Sequence, residues 1–389
     1  MEKRFVYADN AATTSVAPEV LEKMLPYFSE HFGNASTLYK LGQRSRSALE
    51  EARANVAAVI GAEPKEIFFV GSGTEADNMA LRGLMRSKQA KGKKHLITTK
   101  FEHHAILHTA QALEAEGFRV TYLPVDKNGV VSLAQLKEAM GEDTALVSIM
   151  AANNEIGSVQ PVAEIGALCK RKGVFFHTDA VQAFGHIPLD VKEMGIDLLA
   201  LSAHKIRGPK GVGAIYIRSG LLLEPVITGG GQEKNRRSGT ENVPGIVGLG
   251  EAARLKREHM AEESTRVSAL SLRLREGVLR LIPHSMVTGH PENRLPGNSS
   301  FVFPAVEGES LVLMLDAQGI CAATGSACST GSLDPSHVLM SIGLTHEVAH
   351  GSLRLSLSED NTEEDVDYIL EKLPVIVQKL RDMSPVWHG

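Results

Sequence analysis

The strongest constraint on this chain is a rhythm running from about residue 66 to residue 218. Short apolar runs recur there: "EIFFV", "HLITT", "RVTYLPV", "ALVSIMAANNE", "VFFHTDA", "LLALSA" and "GVGAIYIR". Helical patterns separate most of them, in "GTEADNMALRGLM", from about His104 to Glu116, in "LAQLKEAM" and in "VAEIGALCKRKG". The last two runs instead flank a turn, "HKIRGPKG". Near-continuous apolar strands alternating with helices predict a mainly parallel sheet covered on both faces.

The flanking segments differ. "SVAPEVLEKMLPYFSEHFG" predicts a helix with Val20, Leu21, Met24, Leu25 and Phe28 on one face, Pro18 near its start and Gly33 past its end. "SRSALEEARANVAAVIG" repeats the pattern through Leu49, Ala52, Val56, Val59 and Ile60. Beyond about residue 240 come a long helical stretch, separated strands in "NSSFVFP", "GICAATG" and "SLRLSLS", and a closing helix in "TEEDVDYILEKLPVIVQKLRDM". The expectation is a large α/β domain over 13–258 and a smaller α+β domain from 1–12 and 259–389. With 389 residues the chain is long enough for both.

Several function classes recede. A net charge of −5 without a long basic run does not favour nucleic acid. Runs such as "LVLML" are too short to span a bilayer, and "MEKRFVYADNAATT" lacks the apolar stretch of a secretion signal. A cytoplasmic protein without a membrane partner is expected, and the sequons at Asn34 and Asn298 then carry no glycan. Three cysteines, 169, 321 and 328, with no CxxC spacing suggest neither a disulfide framework nor structural zinc.

In open α/β sheets ligands bind beyond the carboxyl ends of the strands, so the residues that follow each run carry the chemistry. After "IFFV" comes "GSGTEADN", where Gly73 and Thr74 open a helix that can cradle a phosphate or simply be capped. After "HLITT" come His103, His104 and His108. His103 lies nearest the strand end, while His104 and His108 have the spacing of a metal pair or of an ordinary exposed helix face. "NNEIG" places an amide, Asn154, at another strand end, or makes a turn. Asp179 follows "VFFHT" and needs a partner if buried. Lys205 follows "LLALSAH", either as a solvated loop cation or as a desolvated nucleophile. Together these suit pyridoxal phosphate, with lysine as Schiff-base partner and acid on the pyridine nitrogen. Cys328 stands in "GSACSTGSLDPSHVL", among small polar residues where a packed structural thiol is not expected.

At this point the chain resembles the cysteine desulfurases of the NifS/IscS-like family, in the class V aminotransferase group of fold-type I pyridoxal-phosphate enzymes. The resemblance runs nearly end to end, through "YADNAATT", "FGNAST", "GSGTEADN", "EHHAIL", "NNEIG", "TDAVQ", "SAHKIRGPKG", "GGGQEKNRRSGTENV", "GSACSTGSLDPSHVL" and "SLRLSLS". It implies a seven-stranded large-domain sheet. It makes Lys205 the Schiff-base lysine, Asp179 the pyridine partner and His103 the stacked ring. Asn154 and Gln182 would bond the ring hydroxyl, and Gly73, Thr74, Ser202 and His204 would hold the phosphate. Thr240 would reach the phosphate from a second subunit, which implies a homodimer. Arg354, assisted by Asn34, would grip the substrate carboxylate. In the early loop Ala35, Thr37 and Tyr39 stand where the family usually has Pro, Ser and His.

The reaction so implied converts L-cysteine to L-alanine with a persulfide on Cys328, passed to an iron–sulfur scaffold or thiolation acceptor. The segment around 322–337 looks like the long-loop kind, whose small residues let a thiol travel. No intrinsic metal site is expected, though Cys328 could be a transient iron–sulfur ligand shared with a scaffold. Alternatives are a selenocysteine lyase, a small amino-acid aminotransferase, or a non-catalytic sulfur carrier that kept the fold. Cys321 and Cys169 are expected to be packing residues.

Overall fold

A computed structural model describes residues 4–325 and 335–387. Cys328 lies outside the described residues. The strands, in chain order, are β1 (Val6–Tyr7), β2 (Ile67–Val70), β3 (His95–Thr99), β4 (Arg119–Leu123), β5 (Thr144–Ser148), β6 (Phe175–Asp179), β7 (Leu198–Ser202), β8 (Gly213–Ile217), β9 (Met286–Val287), β10 (Asn298–Val302), β11 (Ile320–Cys321) and β12 (Ser352–Ser356).

The seven runs of the large sheet are ordered β2-β8-β7-β6-β5-β3-β4. Only β8 runs against the rest, antiparallel to both β2 and β7. The pleat splits each strand between two cores. Phe69, Ile97, Val147, Phe176, Leu199 and Tyr216 face one core, and Phe68, Leu96, Leu146, Leu198, Ala200 and Ile215 face the other. Each buried aliphatic side chain contributes about 1.5–3 kcal/mol, so neither face can be left in water.

A separate core gathers Leu270, Leu274, Phe301, Leu311, Leu353, Ile369 and Leu373. Its sheet places β10 between β9 and β12, antiparallel to both. β1 pairs with β11 in parallel. The helix Val243–Leu281 serves both regions. Its Ile246, Leu249 and Ala253 pack with the large-sheet core, and its Val267, Leu270, Leu274 and Val278 with the second.

The first predicted helix is interrupted. It forms Pro18–Met24 and then Pro26–Ser29, because Pro26 has no N–H to continue the ladder. Its apolar face also splits. Val20 and Met24 are buried, whereas Leu21, Leu25 and Phe28 are 48%, 56% and 62% exposed.

Candidate active site

A cavity of about 550 Å³ opens beyond the carboxyl ends of the parallel strands. Its rim is built where β2 turns into the helix Gly73–Met85. Ser72 Oγ caps that helix by accepting the Glu75 N–H at 3.1 Å. Gly73 is required by packing, since a Cβ there would sit 2.6 Å from Val181 Cγ2. Thr74 lines the cavity, with Ser202 and His204 from the end of β7. Burial and the Lys205 charge push the His204 imidazole down to about 4, and its Nδ1 is 3.1 Å from Thr13 Oγ1.

The floor is acidic. Asp179 ends β6 and accepts the Val181 N–H at 2.9 Å. Burial lifts its carboxyl to about 6, against the pull of that N–H and of Lys205. Two more carboxyls lie close by. Burial raises Asp77 well above the ordinary range, reinforced by Asp179 and Glu102. Burial also raises Glu102 to about 8, despite bonds from the Met150 N–H and the Thr99 hydroxyl. Asp77 Oδ1 faces His177 Nε2 at 3.5 Å, and neither atom makes a hydrogen bond among the described residues. Burial drops His177 to about 3, so this pair is uncharged. Asp179 is therefore the carboxyl of the floor that ionises most readily. Asp77, inside the helix Gly73–Met85, and Glu102 gave no distinguishing signal in the sequence.

The walls hold His103, Asn154, Gln182 and Lys205. His103 Nδ1 accepts the Ala105 N–H at 3.1 Å and caps the helix His104–Ala115. Burial and Lys205 hold the ring near 4, so it is neutral at pH 7. With Nδ1 an acceptor, the ring proton sits on Nε2. Gln182 Nε2 donates to the Ala11 carbonyl at 2.9 Å, and Lys205 Nζ to the Ala11 and Ala12 carbonyls at 2.5 and 2.8 Å. One short segment, within "YADNAATT", thus holds both side chains.

Arg354 enters from β12 and is 4% exposed. Its Nη2 pairs with Asp9 Oδ1 at 2.8 Å, its Nη1 donates to the Asn154 carbonyl at 3.1 Å, and its Nε makes no hydrogen bond among the described residues. Asp9 was missed because it lies 345 residues away in the sequence.

Two expected site residues do not line this cavity. Asn34 is exposed, and its Oδ1 accepts the Ser36 N–H at 2.9 Å. The loop departures are accommodated locally. Thr37 Oγ1 donates to the Asn34 carbonyl at 2.8 Å, Ala35 is buried, and Tyr39 points outward. Thr240 is exposed as well. The rings of His104 and His108 are 5.0 Å apart, but no three metal-ligating side chains converge among the described residues. Cys169 is buried, and burial pushes its thiol up to about 12. Cys321 is half-buried on β11 beside Tyr7.

The aminotransferase class-V family profile matches residues 6–369. A relative called cysteine desulfurase IscS in Clostridium botulinum (strain Hall) is 56% identical over 98% of this chain and 96% of its own length. Another of that name in Methanosarcina thermophila is 54% identical over 99% of this chain and 95% of its own. The human cysteine desulfurase is 47% identical over 99% and 84%. Among solved structures, a NifS-like protein superposes with a TM-score of 0.91 at 40% identity, covering 97% of this chain and 100% of that one. SspA in complex with cysteine gives 0.81 at 37% identity, over 91% and 99%. No described helix is long and apolar enough to cross a membrane. With the sheet order, the cavity at its carboxyl edge and this full-length similarity in agreement, the chain belongs to the class-V aminotransferase family, among its cysteine desulfurases.

Proposed function

We propose that this protein uses pyridoxal phosphate to take sulfur from L-cysteine, releasing L-alanine and leaving a persulfide on Cys328. The observation that carries the reading is the convergence of Asp179, Lys205, His103 and Arg354, from four separate segments, on one cavity. The cavity fits the cofactor. A carboxylate that ionises below neutrality lies at the floor, an amine and an imidazole lie in the walls, and helix-end N–H groups and hydroxyls lie at the rim. Thr74, Gly73, Ser202 and His204 would hold the phosphate, Asp179 the pyridine nitrogen, Asn154 and Gln182 the ring hydroxyl, and Lys205 the aldehyde carbon. His103 would lie on the ring face.

When bound, the cofactor supplies a protonated ring that takes up electron density from the substrate Cα. Arg354 grips the substrate carboxylate through its remaining donor edge, and Asp9 fixes the guanidinium beforehand, so little orientational freedom is lost on binding. Asn34 would assist it. Lys205 Nζ takes the Cα proton. The Cys328 thiolate then forms an S–S bond to the substrate sulfur as the Cβ–S bond breaks. The electron pair of that bond stays on Cβ, which is protonated to the methyl group of alanine. His103 Nε2–H is the donor available for proton delivery.

A homodimer, with Thr240 of one copy completing the other's phosphate site, is supported by two features. Thr240 does not line its own cavity, and Leu21, Leu25, Phe28, Phe32 and Leu38 are exposed. A partner subunit would cover such a surface. The complex of SspA with cysteine supports cysteine as substrate. The sulfur would pass to an iron–sulfur scaffold or thiolation acceptor, and a reducing cytoplasm suits a reactive thiol.

The test is Cys328→Ser beside Lys205→Ala. The first should keep the yellow colour of the bound cofactor yet form no persulfide. The second should lose the absorbance that lysine attachment gives. Sulfide release by Cys328→Ser at the parental rate, or an unchanged Lys205→Ala spectrum, would sink the assignment.

A further inference from the structure

Glu155 is a buried carboxyl that the reaction above does not use. Its backbone is held on both sides. The N–H donates to Asn153 Oδ1 at 2.9 Å, and the carbonyl accepts Asn298 Nδ2 at 3.1 Å. The carboxylate therefore points to a fixed place. That place is the neck of the segment that carries Cys328. Ser336 donates its hydroxyl to Glu155 Oε2. A Cβ built on Gly325 would lie 3.0 Å from the same oxygen and 3.1 Å from Ser336 Cβ. Residues 325 and 336, one before and one after Cys328, thus meet side by side with one carboxylate against both.

The neck is also tied to the substrate-binding strand. The Gly325 N–H donates to Ser352 Oγ at 3.2 Å. Ala323 and Arg354 exchange backbone hydrogen bonds at 3.1 and 2.7 Å. Ser336 Oγ in turn accepts the Val338 and Leu339 N–H groups and caps the short helix His337–Ser341. Burial raises the Glu155 carboxyl to about 7, while the Ser336 hydroxyl and the Arg354 charge favour its ionised form.

We propose that Glu155 is a positioning residue for sulfur transfer, its carboxylate bonding Ser336 beside Gly325, itself held by Ser352, so that the Cys328 segment springs from a fixed point beside Arg354. The inference rests on Cys328 being the sulfur acceptor. The Glu155 acceptor satisfies the buried Ser336 hydroxyl and so holds one end of the segment, while Ser352 holds the other end at Gly325 beside it. Displacements of about 1 Å in a reacting group can cost about a hundredfold in rate, so the clasp should be felt in sulfur transfer rather than in cysteine binding.

The test uses the cofactor-loaded full chain in a single turnover with L-cysteine. Persulfide on the peptide carrying Cys328 is quantified by mass after alkylation, and cysteine binding is followed separately through the change in cofactor absorbance. Glu155→Ala should slow persulfide formation about ten- to a hundredfold and change the cysteine concentration for half-maximal absorbance change by less than about threefold. Glu155→Gln, whose amide oxygen can still accept from Ser336, should recover most of the loss. Ser336→Ala should reproduce the slowing, and the double variant should be no worse than the slower single one, because both remove the same contact. Parental persulfide rates in Glu155→Ala, or equal loss of cysteine binding, would overturn the clasp, as would a Glu155→Gln variant as slow as Glu155→Ala. A parental protein that carries no persulfide on that peptide would overturn the Cys328 assignment instead.

Discussion

Replacing Asp179 with asparagine should make the cofactor-free protein more stable while weakening its hold on the cofactor. Burial lifts the Asp179 carboxyl from an ordinary 3.8 to about 6. At about 1.4 kcal/mol per pH unit, ionising it inside the fold costs about 3 kcal/mol relative to the unfolded chain. The sign follows from which state holds the proton more tightly. Below pH 3.8 both states are protonated and nothing is lost. As pH rises toward 6 the folded state keeps the proton longer, so stability falls, and above 6 the whole penalty is present. Asparagine is neutral throughout, and its Oδ1 can still accept the Val181 N–H. Unfolding entropy of about 2.1 cal/mol/K per residue gives about 0.8 kcal/mol/K for this chain, so the variant's melting temperature should exceed the parent's by about 4 °C at pH 7.5. The gap should shrink steadily as pH approaches 4. Calorimetry of the two cofactor-free proteins across that range measures it. A variant that melts below the parent at pH 7.5, or a gap that does not change with pH, would refute the reasoning. Reconstitution supplies the other half: the variant should lose its cofactor on dialysis faster than the parent.

Two further perturbations test the supports around the site. Asp9→Ala leaves the buried Arg354 without its anion, so KM for L-cysteine should rise at least about tenfold with a smaller change in kcat; an unchanged KM would show that Asp9 does not orient the guanidinium. Arg53 and Glu233 form a buried two-pronged pair with both contacts at 2.8 Å, and Glu233 also accepts the Phe69 N–H. Glu233→Ala should destabilise by about 3–5 kcal/mol, and Arg53→Met with Glu233→Leu should recover much of it; thermal melts that place the single variant within a degree of the parent would contradict this.

The parts of the site that were legible in sequence share one property: each lies at or just beyond the end of a strand of the large sheet. An apolar run buried on both faces fixes the strand, and the strand fixes where its last residue emerges. Thr74, His103, Asn154, Asp179 and Lys205 were therefore readable as an ordered series, although residues between 74 and 205 were all that spacing could reach. The family resemblance, not spacing, pointed to Arg354. Asp9 was hidden because nothing local distinguishes it from a turn aspartate; it matters only because β1 and β12 come together through the second core. The apolar face of the first helix misled for the opposite reason. Periodicity records that a face avoids water, but not whether it is covered by its own chain, and Leu21, Leu25 and Phe28 are not.

The three floor carboxyls show why residue type alone could not assign the roles either. Asp77 and Asp179 line the cavity, Glu102 lies buried close to them, and all three are shifted upward by burial. Asp179 alone has both an N–H donor and the Lys205 charge pulling it back toward ionisation. Among the described residues, Glu102 accepts three bonds without a cation pulling on it, and Asp77 has neither. Two anions this close would raise each other, so the least burdened acid ionises and the others stay neutral. The floor thus favours a single negative charge, at Asp179, the residue proposed to face a pyridine nitrogen. A second ionised acid would raise Asp179 and work against its ionisation, which gives Asp77 and Glu102 a reason to be buried so deeply.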